Sequence, residues 1–234
     1  MKTEIGIVRG ATKEEVLSKK FIIYMGISLN NKWFTKENMG EYILWGLKHT
    51  KERFCIEIAD TLQAINYKVR SKYTEKAAIR KALKEGDKFI EIINEIISKL
   101  PEKDKKRIDV IRWKDVKADI DYKSALPVFQ KEFETNKNFR EAIKNIVKDF
   151  GARLEQPPMR EEKIEKLCEY IVEELPQLIN GFTFNRTYYN CLIYPSDALL
   201  LQLIEQIQRK EKFPELHNKL KIKNNVFVEL KVNL

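Results

Sequence analysis

Few side chains in this 234-residue sequence combine a reactive type with a placement suited to covalent chemistry. Ser28 is the first. It lies in FIIYMGISLNNKWF, Phe21 to Phe34, where an apolar run from Phe21 to Met25 reads as a buried strand and gives way to Gly26, Ser28, Asn30 and Asn31. A strand ending in glycine and small polar residues puts them at the carboxyl edge of a sheet, where open α/β folds place ligands. The same residues are ordinary turn formers, so the stretch alone leaves both readings open. Tyr170 and Glu174, four apart on a predicted helix, share a face. Pro176 just beyond them predicts a bend that turns this face toward a pocket. A carboxylate there could hold an ammonium group, or it could be a surface glutamate beside a half-buried tyrosine. Tyr194 closes a strand before Pro195. A phenol at a strand end can relay a proton, or it can plug the core.

What is missing narrows the chemistry. The only histidines, His49 and His217, lie away from the predicted strand ends, which leaves a serine–histidine–acid triad little support. Gly26 and Ser28 give GxS without the rest of a nucleophile elbow. There is no Walker A, no GxGxxG and no zinc-deaminase signature. Cys55, Cys168 and Cys191 are odd in number and widely spaced, neither a disulfide framework nor a zinc site, and point to a reducing cytoplasm. No apolar run approaches a membrane span, and MKTEIGIVRG lacks the apolar core of a secretion signal. The length fits one compact domain, 1–234, or two small ones, and no convincing boundary between independent domains is found.

The elements that must position these residues follow from periodicity. Residues 1–20 read as a polar tail with a short edge strand. A helix is predicted over Lys36–Thr50 and a second strand over Arg53–Ala59, ending at Asp60; strand, helix, strand at this spacing predicts a parallel α/β unit. A long helix is predicted from about Thr74 to Leu100, with Gly86 as a weak point and Ile79, Leu83, Ile90, Ile93 and Ile97 as its apolar line. A charged loop over Pro101–Arg107 leads to a third strand, Ile108–Trp113. Short helical pieces follow to Thr135, with Pro127 interrupting or starting one. An amphipathic helix over Asn138–Leu154 is broken by Gln156, Pro157 and Pro158. A further helix runs from Arg160 to about Ile179 and ends at Gly181. Thr187–Tyr194 reads as one strand, Ser196 or Asp197 as the cap of a helix to about Lys210, and Lys223–Val232 as a late edge strand.

Charge supplies the last clue. Lys and Arg total 44 against 35 Asp and Glu, a formal +9, which favours a polyanionic partner or simply solubility. Lys72, Lys76, Arg80, Lys84 and Lys88 recur every fourth residue, with Lys81 beside them and Lys68 and Arg70 before them. Like charges at that spacing weaken a helix slightly, a cost that a phosphate-binding surface would repay and a plain solvated face would not. No DNA-reading motif accompanies them, so backbone contact to a folded RNA fits better than sequence-specific DNA binding.

Taken together, Gly26-x-Ser28-x-x-Asn31-x-x-Phe34, Tyr170-x-x-x-Glu174-Leu175-Pro176 and Tyr194-Pro195, with Asp60, Tyr67 and the basic helix between them, resemble the cyclodipeptide synthases over roughly residues 18–210. The resemblance implies a Rossmann-like, three-layer α/β fold with a mostly parallel central sheet, similar to the catalytic domain of class I tyrosyl- and tryptophanyl-tRNA synthetases. It implies an ATP-independent aminoacyltransferase that joins aminoacyl groups from two aminoacyl-tRNAs into a 2,5-diketopiperazine, with no cofactor, metal, DNA or membrane. Carried over, Ser28 would be the nucleophile and bear the first aminoacyl group. Tyr170 and Glu174 would hold that group's ammonium, and Glu174 would take a proton from the second substrate's amine. Tyr194 would assist ring closure and Asn31 would orient the Ser28 end of the pocket, with Gly26 and Pro195 lining it. Lys72, Lys76, Arg80, Lys81, Lys84 and Lys88 would face tRNA. Two patterns within the family differ at Asn31 and after the late tyrosine; this chain takes Asn31 from one and Tyr194-Pro195 from the other. Another aminoacyl-tRNA-dependent transferase, a silent tRNA-binding protein and a serine hydrolase are the competing readings. The amino-acid pair is not legible, and a monomer is expected.

Overall fold

The computed structural model describes residues 2–71, 73–152 and 159–233. In chain order these form β1 (Lys2–Arg9), α1 (Lys13–Leu17), β2 (Ile23–Ile27), α2 (Lys36–His49), β3 (Phe54–Ile58), α3 (Asp60–Ser71), α4 (Glu75–Ser98), α5 (Glu102–Lys105), β4 (Ile108–Arg112), α6 (Trp113–Val116), α7 (Ile120–Thr135), α8 (Lys137–Ala152), α9 (Glu161–Asn180), β5 (Phe182–Phe184), β6 (Thr187–Tyr189), β7 (Cys191–Tyr194), α10 (Leu199–Gln208), α11 (Leu216–Lys219) and β8 (Val226–Asn233). Six strands make one sheet in the order β1-β8-β7-β2-β3-β4. All neighbours are parallel except β1 and β8. The sheet is therefore mixed and mostly parallel.

The central strands are apolar throughout because both their faces are covered, as parallel sheets require. Side chains alternate along β2: Tyr24 packs with α7, α8, α9 and α10 on one face, while Ile23, Met25 and Ile27 pack with α2 and the later part of α4 on the other. The chain lays down β2, β3 and β4 outward in one direction, then returns to place β7 and β8 on the other side of β2. The order thus reverses between β2 and β7, and their carboxyl ends carry Ser28 and Tyr194. That is the crevice such sheets use for ligands.

Several expectations need correction. Residues 60–71 form helix α3, begun by Asp60. Helix α4 runs unbroken through Gly86. A Cβ at Gly86 would sit 2.9 Å from Cβ of Asp60, so this glycine permits close helix packing and is no weak point. The first half of α4 buries Ala78, Ala82 and Gly86, whereas Ile79 is 37% exposed; small residues let α3 and α4 approach, and the expected apolar line holds further on, at Ile90, Ile93 and Ile97. Residues 102–105 are a helical turn, and α7 continues through Pro127. Helix α9 likewise continues through buried Pro176. It stops at Gly181, whose φ of 66° suits glycine and whose N–H donates to the Gln177 carbonyl at 2.7 Å. Asn190 divides the predicted strand 187–194 into β6, paired with β5, and β7 in the main sheet. Helix α10 is entered from Ala198 without a side-chain cap. The late strand β8 lies inside the sheet, and β1 is its edge. Leu154, Gln156, Pro157 and Pro158 lie outside the described residues, as does Lys72.

Candidate active site

Ser28 follows directly on β2 in a tight turn. The Asn31 N–H donates to the Ser28 carbonyl at 3.2 Å, and Asn30 takes φ 69°. Asparagine tolerates that left-handed conformation better than most residues. Buried Leu29 anchors the turn in the core. The Asn31 side-chain amide donates to the Tyr194 hydroxyl at 2.8 Å, and that hydroxyl donates to Ser28 Oγ at 3.1 Å. Phe34 meets the Tyr194 ring edge-on at 5.6 Å and fixes its tilt. Pro195 is buried behind it. The Tyr170 hydroxyl, brought in from α9, is also within hydrogen-bonding reach of Ser28. Thus Asn31, Tyr194 and Ser28, from distant parts of the sequence, form one hydrogen-bonded chain, with Tyr170 beside Ser28.

Glu174 lies one helical turn after Tyr170. Ser28, Tyr170, Glu174 and Tyr194 are all half-buried, so they rim a recess that opens to solvent. Burial pushes the Glu174 carboxyl up to about 7. Burial, and then the negative charge of Glu174, pushes the Tyr170 hydroxyl well above its ordinary range; burial also raises Tyr194. Both phenols are therefore neutral donors at physiological pH, and Glu174 is poised to exchange a proton. Neither histidine joins them. His49 lies against Trp45, and the His217 ring bonds the Ile207 carbonyl at 2.8 Å.

The floor of the recess holds a residue that sequence reasoning missed. Glu57 stands opposite Gly26 in the β2–β3 register and is 2% exposed. Gln177, one turn beyond Glu174, donates to Glu57 Oε2 at 3.4 Å, a weak contact, and Glu57 Oε1 has no partner among the described residues. Burial, and then the negative charges of Glu174 and Asp60, raises the Glu57 pKa to about 8. A Cβ at Gly26 would stand 3.3 Å from Glu57 Oε2 and 3.4 Å from Leu192 Cδ1. The signal available in sequence was a lone acid in the otherwise apolar strand FCIEI. Asp60 is buried and paired with Arg112 at 2.8 Å. Of the other polar residues near the recess, Asn30 donates to the Tyr67 hydroxyl at 2.8 Å, and Tyr67 donates to Glu85 of α4. The Asn190 side chain accepts the Ile22 N–H at 3.0 Å, and its backbone bonds Ile22 and Val226, a structural role in the sheet.

On α4, Lys76, Arg80, Lys84 and Lys88 are exposed, and the first three have no ion-pair partner among the described residues. Lys81 differs. It turns inward over the rings of Tyr67 and Tyr73, at 4.9 and 5.4 Å, and pairs with Glu85 at 3.6 Å. All three cysteines are buried and free, and no metal-binding cluster exists among the described residues. No helix among them is long and apolar enough to cross a membrane.

The fold defines a class first. It is the Rossmann-like α/β fold related to class I tRNA synthetases. A tyrosyl-tRNA synthetase from Archaeoglobus fulgidus matches 92% of this chain over 56% of its own, at 12% identity and a TM-score of 0.52. Within that class, cyclodipeptide synthase structures align over almost the whole length. The one from Fluoribacter dumoffii covers 98% of this chain and 97% of its own (20% identity, TM-score 0.73), and the one from Staphylococcus haemolyticus covers 99% of both (19%, 0.73). A Mycobacterium tuberculosis structure, described as relating cyclodipeptide synthetases to type I tRNA synthetases, covers 97% of this chain and 93% of its own (17%, 0.72). Comparison with curated proteins gives no significant sequence match. The sequence model of the family described as cyclodipeptide synthase matches residues 9–212. The chain belongs to the cyclodipeptide synthase family. It is a tRNA-dependent, ATP-independent aminoacyltransferase that forms a diketopiperazine from two aminoacyl-tRNAs.

Proposed function

We propose that Ser28 carries the growing product through a covalent cycle in which every proton moves among the substrates, Glu174 and Tyr194. The observation that carries this reading is the hydrogen-bonded chain from Asn31 through Tyr194 to Ser28, with Tyr170 close beside. Ser28 Oγ attacks the ester carbonyl of the first aminoacyl-tRNA. The Oγ–carbonyl bond forms, the bond to the ribose oxygen breaks, and the serine proton leaves with that oxygen. No imidazole or carboxylate bonds Ser28 among the described residues; an activated ester needs only modest help from its nucleophile, and the departing oxygen can take the proton.

The ammonium of the bound residue lies beside Tyr170 and Glu174. Glu174, near pH 7, accepts its proton, and the free amine attacks the ester of the second aminoacyl-tRNA. A carbon–nitrogen bond forms, the second ribose oxygen leaves protonated, and a dipeptidyl ester remains on Ser28. Glu174 thus serves the amine of the Ser28-bound residue rather than the second substrate's, since only that assignment leaves the dipeptide on serine. The new terminal amine then closes on the Ser28 ester. The carbonyl–Oγ bond breaks, and Tyr194 gives its proton to Oγ as it takes the one the amine loses, while Asn31 holds the phenol in line. Positioning supplies most of the rate.

Lys76, Arg80, Lys84 and Lys88 face the tRNA backbone, while Lys81 braces Tyr67 and Glu85 beneath them. The enzyme works as a monomer in the cytoplasm, where charged tRNA is found. Incubation with a mixture of charged tRNAs tests the scheme by mass. Wild type should release diketopiperazines, and Ser28→Ala should show neither ring product nor an acylated protein. Full activity in Ser28→Ala overturns the covalent cycle.

A further inference from the structure

We propose that the first aminoacyl group carries a basic side chain, received on the floor of the recess by Glu57 through the gap left by Gly26. The inference rests on the synthase reading above and names the substrate class of its first step. Three observations converge. Glu57 has a carboxylate oxygen that is buried and unpartnered among the described residues. A buried polar atom left unpaired costs about 1–3 kcal/mol, and a group placed to be satisfied by a ligand explains the expense. Next, Gly26 is the one position on that face of β2 without a side chain. A Cβ there would meet Glu57 Oε2 at 3.3 Å and Leu192 Cδ1 at 3.4 Å, so the bare glycine leaves this side of the carboxylate uncovered beside the Ser28 turn. Finally, Gln177 offers a second polar contact on the same floor, one turn along α9 from Glu174.

Charge decides the class. Three acids converge here: Glu57, Glu174 and Asp60. Arg112 neutralises Asp60. The α-ammonium of the bound residue neutralises Glu174. Glu57 alone lacks a cation, and for want of one it keeps its proton; it can ionise there only when a cation pairs with it. A basic side chain, as in arginine, lysine or protonated histidine, completes the count. An aliphatic side chain would fill the gap and seal the acid away from any partner.

The test charges a single tRNA body with each amino acid in turn, so that only the side chain varies, and measures acylation of Ser28 by intact mass. Basic residues should load on the order of 100-fold or more faster than leucine, methionine or phenylalanine, because a site built to bond a polar group discriminates strongly against its absence. Glu57→Gln, equal in shape, should lose most of that preference, and Glu57→Val should shift loading toward aliphatic residues. The wild-type profile stands even where a variant folds poorly. Leucine or phenylalanine loading as fast as the basic residues overturns the inference, as does a folded Glu57→Gln with an unchanged profile. Loading of some amino acids without that preference leaves the synthase reading intact, whereas no acylation with any amino acid overturns both.

Discussion

Glu174→Gln should abolish synthesis and at the same time stabilise the protein, by an amount that depends on pH. The Glu174 carboxyl loses solvent on folding, and its pKa rises from 4.5 to about 7. The unfolded chain ionises this group at the ordinary value, while the folded chain keeps its proton until near pH 7. Between those values the unfolded state binds fewer protons, so wild-type stability falls as pH rises, and the full penalty remains above the folded value. The two values differ by about 3 kcal/mol in free energy. Glutamine has no proton to lose and escapes the penalty. Urea unfolding of wild type and variant across a pH series should give coincident stabilities near pH 4 that separate until the variant leads by up to about 3 kcal/mol at pH 8. Glu57 titrates over an overlapping window, so the difference between the two curves carries the test. Equal stability at pH 8, or a variant weaker than wild type there, refutes the reasoning, since Glu174 would then ionise in the fold at no cost.

Reversal of Lys76, Arg80 and Lys84 to glutamate should raise KM for aminoacyl-tRNA about tenfold or more and flatten its dependence on salt, by about one phosphate's worth of slope per lost contact; kinetics at two ionic strengths checks this, and unchanged KM removes α4 from tRNA binding. Tyr194→Phe keeps the packing on Phe34 but removes the hydroxyl between Asn31 and Ser28. Acylated Ser28 should persist while ring release slows on the order of 100-fold, read by following intact mass and product together; product at the wild-type rate refutes the relay.

The residues proposed to react were legible in the sequence because each sits at an element's end or on a helical face. Ser28 ends an apolar strand, Tyr194 precedes a proline, and Tyr170 and Glu174 are one turn apart. Periodicity also placed β3, β4 and α2 well. It failed where small residues carry the packing. Ala78, Ala82 and Gly86 form the inner face of α4, yet their hydrophobicity is too slight to outweigh Ile79 and Leu83 nearby. It failed again at α3, whose polar stretch Asp60–Ser71 folds as a helix through its contacts with α4 and α9. Pro127 reads as interrupting or starting a helix but lies within a continuous one, and Pro176 lies inside the helix predicted around it. Glu57 was passed over because the strand pattern marks it only as buried; its meaning depends on the glycine across the sheet.

The edge strand β1 bears on the chemistry from a distance. The Ile7 N–H donates to Glu229, 222 residues away, and the other oxygen of that carboxylate accepts the Asp197 N–H just after Tyr194-Pro195. Arg9 grips Asp197 with two bonds of 2.9 and 2.6 Å and reaches Glu205 at 2.6 Å. The turn that releases the chain from Tyr194 is therefore tied down by residues from both extremes of the sequence. Contacts of such long reach form late, after costly loop closure. The turn after Tyr194 is thus secured by the outermost strands, and a change that frees β1 should slacken the phenol proposed to close the ring while leaving β2, which carries Ser28, paired with β3 and β7.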